Sequence, residues 1–159
     1  MSYLIQFISN GSPVDRCIGV TTIAPGAPVV LSLLGASPNT MFNLDPNSGY
    51  ITSASHPNLC LDIAGTPQKG AQVILAQKVL GKVTQRWNWL GSGQRIVNVG
   101  VPTLCIDNTN CNLTPGNKIA VWDASGECQL WQSVPTDMVV DTVIGATRTT
   151  SLAGTQPEL

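Results

Sequence analysis

The stretch Leu59-Cys60-Leu61-Asp62-Ile63 is followed by Gly70 and then by Gln85-Arg86-Trp87. The same landmarks recur further along the chain, at Leu104-Cys105-Ile106-Asp107-Asn108, Gly116 and Gln129-Leu130-Trp131. A weaker copy lies upstream, at Arg16-Cys17-Ile18-Gly19-Val20, Gly26 and Thr40-Met41-Phe42.

The three copies keep one period. The cysteines are 43 and 45 residues apart, the turn glycines 44 and 46, and the closing aromatic residues 45 and 44. Landmarks that hold one spacing through three copies indicate an internal repeat. We place the repeats at about 3–48, 49–92 and 93–134, within one domain spanning 1–134, and treat 135–159 as a C-terminal extension.

Each copy has the composition of short β-strands. The first strands are predicted at 3–8, 50–53 and 95–99, and the Leu-Cys-Leu-Asp-Ile type segments alternate as strands do. Glycine turns follow, then apolar strands at 29–31, 73–75 and 119–122, which gives about twelve strands and no helix of useful length. One copy cannot bury its apolar face, so we expect three copies to close a barrel capped by hairpins. We expect Phe42, Trp87 and Trp131 to meet near its axis, and Gln85 and Gln129 to bond backbone groups.

Composition narrows the function. Charged residues are 11% of the 159 residues and the net charge is −1, so nothing indicates a nucleic-acid partner. No apolar stretch is long enough to span a bilayer, so we expect no membrane insertion. The N-terminal residues do not resemble a signal peptide. We therefore expect a cytoplasmic chain, one secreted without a leader, or a mature chain that has lost it.

Five cysteines leave two pairings open. Cys17, Cys60 and Cys105 share one repeat position, which is typical of a small buried side chain. Cys111 and Cys128 stand outside the pattern, and either a Cys111–Cys128 or a Cys105–Cys128 bridge is conceivable. One histidine and no Cys-x-x-Cys pair predict neither a metal site nor a cofactor.

These motifs resemble those of the ricin B-type (R-type) β-trefoil lectins, over about residues 3–134. Two Leu-Cys-(Leu/Ile)-Asp segments in phase with two Gln-x-Trp segments carry the resemblance. It implies an all-β β-trefoil and metal-independent binding of glycans, often of the galactose or N-acetylgalactosamine type. In that family an aspartate accepts hydrogen bonds from sugar hydroxyls, an aromatic ring stacks on the sugar, and an amide closes the polar side.

The third repeat matches this pattern best. Asp107 is the aspartate, Trp122 the ring and Gln129 the amide, with Asn108 and Asp123 as nearby polar candidates. Cys128 stands where the family often has asparagine. We expect Asp107 to face solvent. Each of these two residues has an alternative role. Trp122 could be a core residue, although Val121 could take the core face instead. Asp107 could be a turn cap.

The other repeats match less well. The second keeps Asp62 and Gln85 but has Ala76 in place of the ring, so Gln77 could complete only a weaker polar site. The first has Gly19 and Thr40 at the key positions, and we expect no sugar site there.

Other classes of function have weaker support. A β-trefoil protease inhibitor or protein-interaction module would share the fold without needing these motifs. An enzyme would need converging catalytic groups. His56 has no evident partner, and Asp62 and Asp107 belong to different repeats, so we predict no catalytic residues. The apolar segment 138–144 of the extension could pair two protomers into a homodimer.

Overall fold

The computed structural model describes residues 1–136 and is all-β over that range, with short 3₁₀ turns at Val83–Gln85 and Thr109–Cys111. The predicted pairing segment 138–144 lies outside the described residues. Within 1–136, no helix is long and apolar enough to cross a membrane. The strands are β1 (Tyr3–Ser9), β2 (Ser12–Val20), β3 (Val29–Leu33), β4 (Phe42–Leu44), β5 (Ile51–Ser53), β6 (Leu59–Ile63), β7 (Val73–Gln77), β8 (Trp87–Asn88), β9 (Ser92–Gln94), β10 (Val97–Asn98), β11 (Leu104–Asn108), β12 (Ile119–Asp123) and β13 (Leu130–Pro135).

The strands form the predicted β-trefoil. Antiparallel hairpins β2–β3, β6–β7 and β11–β12 carry the three Cys-containing segments. Strands β1 and β13, the first and last within residues 1–136, pair along their length, from Tyr3 opposite Pro135 to Ile8 opposite Leu130. Strand β1 also pairs with β4, and an isolated bridge between Tyr50 and Arg86 links the second repeat's first and last strands. Pairing of β1 with β13 closes the barrel, so neither strand has a free edge on that side.

The turn glycines join the three hairpins in a cycle. Their φ angles are +86° at Gly26, +89° at Gly70 and +92° at Gly116, a region that favours glycine. Each glycine N–H donates to a carbonyl of a neighbouring repeat, in the order 1 to 2, 2 to 3 and 3 to 1. The acceptors are Leu75 O at 2.6 Å, Val121 O at 2.8 Å and Leu31 O at 2.7 Å. The glycine of each repeat therefore forms a backbone hydrogen bond that joins that repeat to the next one.

One side chain lies where the three repeats converge. Gln72 Nε2 is 2.8 Å from each of three equivalent carbonyl oxygens, those of Val29, Val73 and Ile119. These carbonyls belong to the first, second and third repeats respectively. The two N–H groups of a single amide therefore serve carbonyls of all three hairpins, with at least one hydrogen shared between two carbonyls.

The three closing aromatic residues are core residues, as expected. Phe42, Trp87 and Trp131 are buried within one hydrophobic cluster. Trp87 Nε1 donates to Leu61 O at 3.2 Å, and Trp131 Nε1 donates to Ile106 O at 3.1 Å. Because these carbonyls are equivalent in the two repeats, both indoles are held in the same way.

The cysteines divide as their positions suggested. Cys17, Cys60 and Cys105 are fully buried free thiols, and burial raises the pKa of each to about 12. They therefore behave as small hydrophobic side chains rather than as nucleophiles. Of the two conceivable bridges, Cys111–Cys128 is the one formed, with a Cα–Cα distance of 4.9 Å.

Replacing the amide at the centre of the hairpins should destabilise the fold. Gln72→Met keeps the length of the side chain but removes the donors to three carbonyls. We expect the free energy of unfolding to fall by about 1–3 kcal/mol in urea titrations. Gln68→Met, at an exposed position of the same repeat, is the control and should change stability little. A Gln72 variant as stable as the control would show that the three carbonyls do not depend on this amide.

Candidate functional site

The third-repeat hairpin places the predicted aspartate and ring on one face. Strand β11 pairs with β12 so that Asp107 lies opposite Ala120 and Cys105 lies opposite Trp122. Residues two apart on a strand share a face, so Asp107 and Trp122 are diagonal neighbours. The register of this hairpin thus brings a carboxylate beside an indole.

A cleft of about 290 Å³ opens at this face. Three of the five residues predicted for the third-repeat site line it: Asp107, Trp122 and Gln129. Sequence reasoning did not single out the remaining lining residues as sugar contacts, and they are Thr109, Asn110, Ser125, Gly126 and Cys128. They come from the loops that follow β11 and β12, and their nearness in sequence to Asp107 and Gln129 was the signal that could have found them.

Asp107 lies at the inner wall of the cleft rather than on the surface. It is only 9% exposed, so the expectation that it faces solvent was wrong. Its Oδ2 accepts a hydrogen bond from Gln129 Nε2 at 2.9 Å, and within residues 1–136 its Oδ1 accepts none. No backbone N–H bonds its side chain there, so it is not a turn cap. Burial raises the pKa of this carboxyl, and the bond from Gln129 partly offsets the rise.

Trp122 is a surface residue. It is 46% exposed, while Val121 is fully buried and takes the core face. The ring lies close to Gly70 of the second repeat, and Lys69 Nζ is 5.3 Å from the ring centroid. The same lysine is 3.2 Å from Asp123 Oδ2. Lys69 of the neighbouring repeat therefore contacts both Asp123 and the ring, the latter by a cation–π interaction.

Gln129 is fully buried and its hydrogen-bonding capacity is used within the protein. Its Nε2 donates to Asp107 and, at 2.7 Å, to Asp123 O. Its Oε1 accepts from Arg95 Nε at 2.9 Å and from Gly126 N at 3.0 Å. Gln85 bonds backbone groups in the same manner, accepting from Val79 N and donating to Gln77 O, as expected for both glutamines. Gln129 therefore orients Asp107 and leaves no donor free for a ligand.

Two predicted third-repeat residues lie outside the cleft. Asn108 is fully buried, and its Nδ2 donates to Asn112 O at 3.1 Å. Asp123 is exposed, and its carboxylate faces Lys69 rather than the cleft. Asn108 thus holds the loop that contains Asn112. Asp123 contacts the site indirectly: its carboxylate binds Lys69, and its backbone carbonyl accepts a hydrogen bond from Gln129.

The second-repeat aspartate is closed off. Asp62 is 1% exposed, and its Oδ1 accepts from Ile63 N at 2.7 Å. Its Oδ2 accepts from Lys82 Nζ at 2.8 Å and from Gln85 Nε2 at 3.2 Å. Gln77 is exposed and contributes its backbone carbonyl to Gln85. Lys82 therefore lies where a ligand of the predicted weaker site would have to bind.

The first repeat offers no carboxylate. A Cβ atom at Gly19 would collide with Ser32 Oγ, so the serine hydroxyl already fills the space beside this position. Thr40 replaces the glutamine and donates to Gly35 O at 2.6 Å. The first repeat therefore keeps a hydrogen bond from this position to its loop, but it has no carboxylate to accept hydrogen bonds from a sugar.

A second cavity, of about 210 Å³, is lined by residues that include Tyr3, Leu44 and Trp89. Its carboxylate, Asp45, accepts hydrogen bonds from the backbone and hydroxyl of Ser48 and from the backbone of Asn47, which lower its pKa. That carboxylate is a turn cap, so the third-repeat cleft is the better candidate site. Within residues 1–136, no group of three or more His, Cys, Asp or Glu could hold a metal.

The family comparison agrees with this geometry. The ricin-type β-trefoil lectin domain matches residues 47–142, and the chain belongs to this family. The match is to a lectin domain and gives no evidence of a catalytic one. No curated protein matches the chain in sequence.

Solved structures share the fold at low sequence identity. The designed threefold-symmetric protein ThreeFoil is 21% identical, with a TM-score of 0.71 over 84% of this chain and 98% of its own. The Macrolepiota procera ricin B-like lectin, solved with lactose, is 20% identical, with a TM-score of 0.65 over 84% and 94%. The C-half of the earthworm R-type lectin, solved with GalNAc, is 16% identical, with a TM-score of 0.64 over 83% and 96%.

The raised pKa of Asp107 predicts how an isosteric variant behaves. A carboxyl whose folded pKa is raised costs stability once it ionises, so its contribution falls as pH rises from about the ordinary value through the raised one. We expect Asp107→Asn to match or exceed the parent in melting temperature at pH 7, and to lose any advantage as pH falls below that window. Asp62→Asn removes the ion pair with Lys82 and should lower the free energy of unfolding by about 1 kcal/mol or more at pH 7. The reverse ranking in thermal melts would contradict this assignment.

Proposed function

We propose that this protein is a lectin that binds galactose- or N-acetylgalactosamine-type sugars in the third-repeat cleft, at one site per chain. One observation carries the proposal: a carboxylate oxygen of Asp107 without a protein partner in the described structure stands beside the half-exposed ring of Trp122. Family membership supports it, because the matched domain is a lectin domain.

The chemistry of a sugar fits these two groups. Adjacent hydroxyls need a fixed acceptor, and hydrogen bonds to a charged group contribute roughly 1.5–3 kcal/mol each. The C–H face of the ring needs a flat apolar partner, which Trp122 offers. Complexes of GalNAc and lactose with the structurally similar earthworm and Macrolepiota lectins support the galactose type. The proposed contacts involve no metal, so chelators should not reduce binding.

A single site per chain follows from the differences between repeats. Asp62 already bonds Lys82, Gln85 and the Ile63 backbone, and Ala76 provides no ring. The first repeat has neither group. The partner of this protein is therefore a glycan or glycoconjugate held by the third repeat alone.

Matched substitutions at equivalent positions test the site. Parent protein should be retained on lactose-coupled resin and bind lactose with a stoichiometry of one in calorimetry. Asp107→Asn should weaken binding by roughly tenfold or more, since it removes the charge from the acceptor. Asp62→Asn should leave affinity and stoichiometry unchanged. Loss of binding in the Asp62 variant alone would place the site in the second repeat, and a parent that binds no sugar would favour a protein-interaction module.

The ring should contribute separately. Trp122→Ala should weaken lactose binding by about 1 kcal/mol or more, or at least fivefold, because the stacking surface is lost. Trp122→Phe keeps a flat ring and should retain most of the affinity. Leu90→Ala removes an exposed apolar side chain at the second cavity and is the control. Equal affinity of the Trp122→Ala variant and the parent would remove the ring from the site.

A further inference from the structure

The cleft lacks an amide on the wall where the resemblance leads one to expect it. Cys128 lines that wall, and its sulfur is bonded to Cys111. Gln129, the next residue, has both N–H groups and its oxygen engaged by the protein. Neither residue can therefore close the polar side of a sugar.

An amide is present on the turn next to that wall. Asn110 lines the cleft, is exposed, and makes no side-chain hydrogen bond to any of residues 1–136. It lies three residues after Asp107, in the 3₁₀ turn that follows β11. Its donors and its acceptor are thus available beside the carboxylate.

The backbone of this turn is held in an unusual conformation. Asn110 and Cys111 have φ angles of +57° and +55°, the left-handed region that residues other than glycine rarely adopt. Asparagine tolerates this region better than most residues do. Two consecutive residues of this kind persist where surrounding contacts hold them.

Those contacts come from both sides of the turn. The backbone of Asn108 donates to Cys128 O at 2.8 Å, and Asn117 Nδ2 donates to Asn108 Oδ1 at 2.8 Å and to Thr109 O at 2.9 Å. The disulfide ties Cys111 to Cys128, which lines the cleft. The turn that carries Asn110 is therefore fastened to Cys128, the residue at which the expected amide is missing.

From this arrangement, and resting on the proposed function, we propose that Asn110 is the amide that closes the polar side of the sugar site, and that the Cys111–Cys128 disulfide holds it in place. The side chain donates to one sugar hydroxyl and accepts from another. In the second repeat the equivalent residue is Gly65, with a φ of +63° and no side chain. The second repeat therefore lacks this amide as well as the ring.

Glycine substitution separates the amide from the backbone. Asn110→Gly removes the side chain and adopts the same φ without strain, so the fold should be retained. We expect lactose affinity to fall about fivefold, as for a lost neutral hydrogen bond, with an unchanged melting temperature. Asn10→Gly is the matched control, because Asn10 is an exposed asparagine with a φ of +51° in the β1–β2 turn. An Asn110→Gly variant that binds as well as the parent would overturn the assignment.

A double-mutant cycle tests the role of the disulfide. Replacing both cysteines with serine should weaken binding in the parent and should add little further loss in the Asn110→Gly background. Equal losses in the two backgrounds would show that the disulfide acts independently of Asn110 and would overturn that part of the proposal. Asp107→Asn separates the proposed lectin function from the role of Asn110. If Asp107→Asn weakens lactose binding while Asn110→Gly leaves it unchanged, the lectin function stands and this inference fails. If the parent binds no sugar, both fail.

Discussion

The fold depends on the hydrogen bonds that join three hairpins at a common centre. Each turn glycine donates to the next repeat, and the amide of Gln72 reaches one carbonyl from every repeat. Only one side chain can fill such a point, so the symmetry must break there. Isolated bridges place Pro28 and Lys118 at the equivalent positions of the other repeats. Gln72 alone of these three residues therefore donates the central hydrogen bonds to the three carbonyls.

This shared frame lets the outer face of each hairpin vary independently. The aspartate position is equivalent in all repeats, yet its surroundings differ: Ser32 fills the space at Gly19, Lys82 bonds Asp62, and Asp107 keeps an oxygen without a partner in the described structure. None of these differences touches the cycle of inter-repeat bonds. One repeat can therefore carry a binding site while the others contribute to the core.

The sequence was enough to predict the β-trefoil, the turn glycines, the aromatic core and the pairing of an acidic residue with a ring in the third repeat, because each rests on a period or on strand alternation. The positions of Asn110 and Lys82 beside the two aspartates, and the choice between the two disulfide pairings, were not predicted, because they depend on how loops of unequal length fold back. The exposure of Asp107 was also misjudged, since alternation gives the face of a strand but not the depth of the loops around it. Alternation did distinguish Val121 from Trp122: because Val121 is buried in the core, the next residue, Trp122, lies on the opposite face, at the surface.

The Gln-x-Trp motif identifies the fold more surely than it identifies a binding site. Both glutamines bond their repeat's aspartate and the adjoining loop, and both tryptophans bond an equivalent carbonyl, whether the repeat is open or closed. The loops differ: seven residues separate Gln77 from Gln85, and five separate Asp123 from Gln129. The longer loop carries Lys82 to Asp62. Gly126 stands at the same distance before Gln129 and has no side chain that could reach Asp107. Under the proposed function, whether a repeat binds sugar therefore depends on this loop and on the ring before it, and an intact Gln-x-Trp motif is compatible with a repeat that binds and with one that does not.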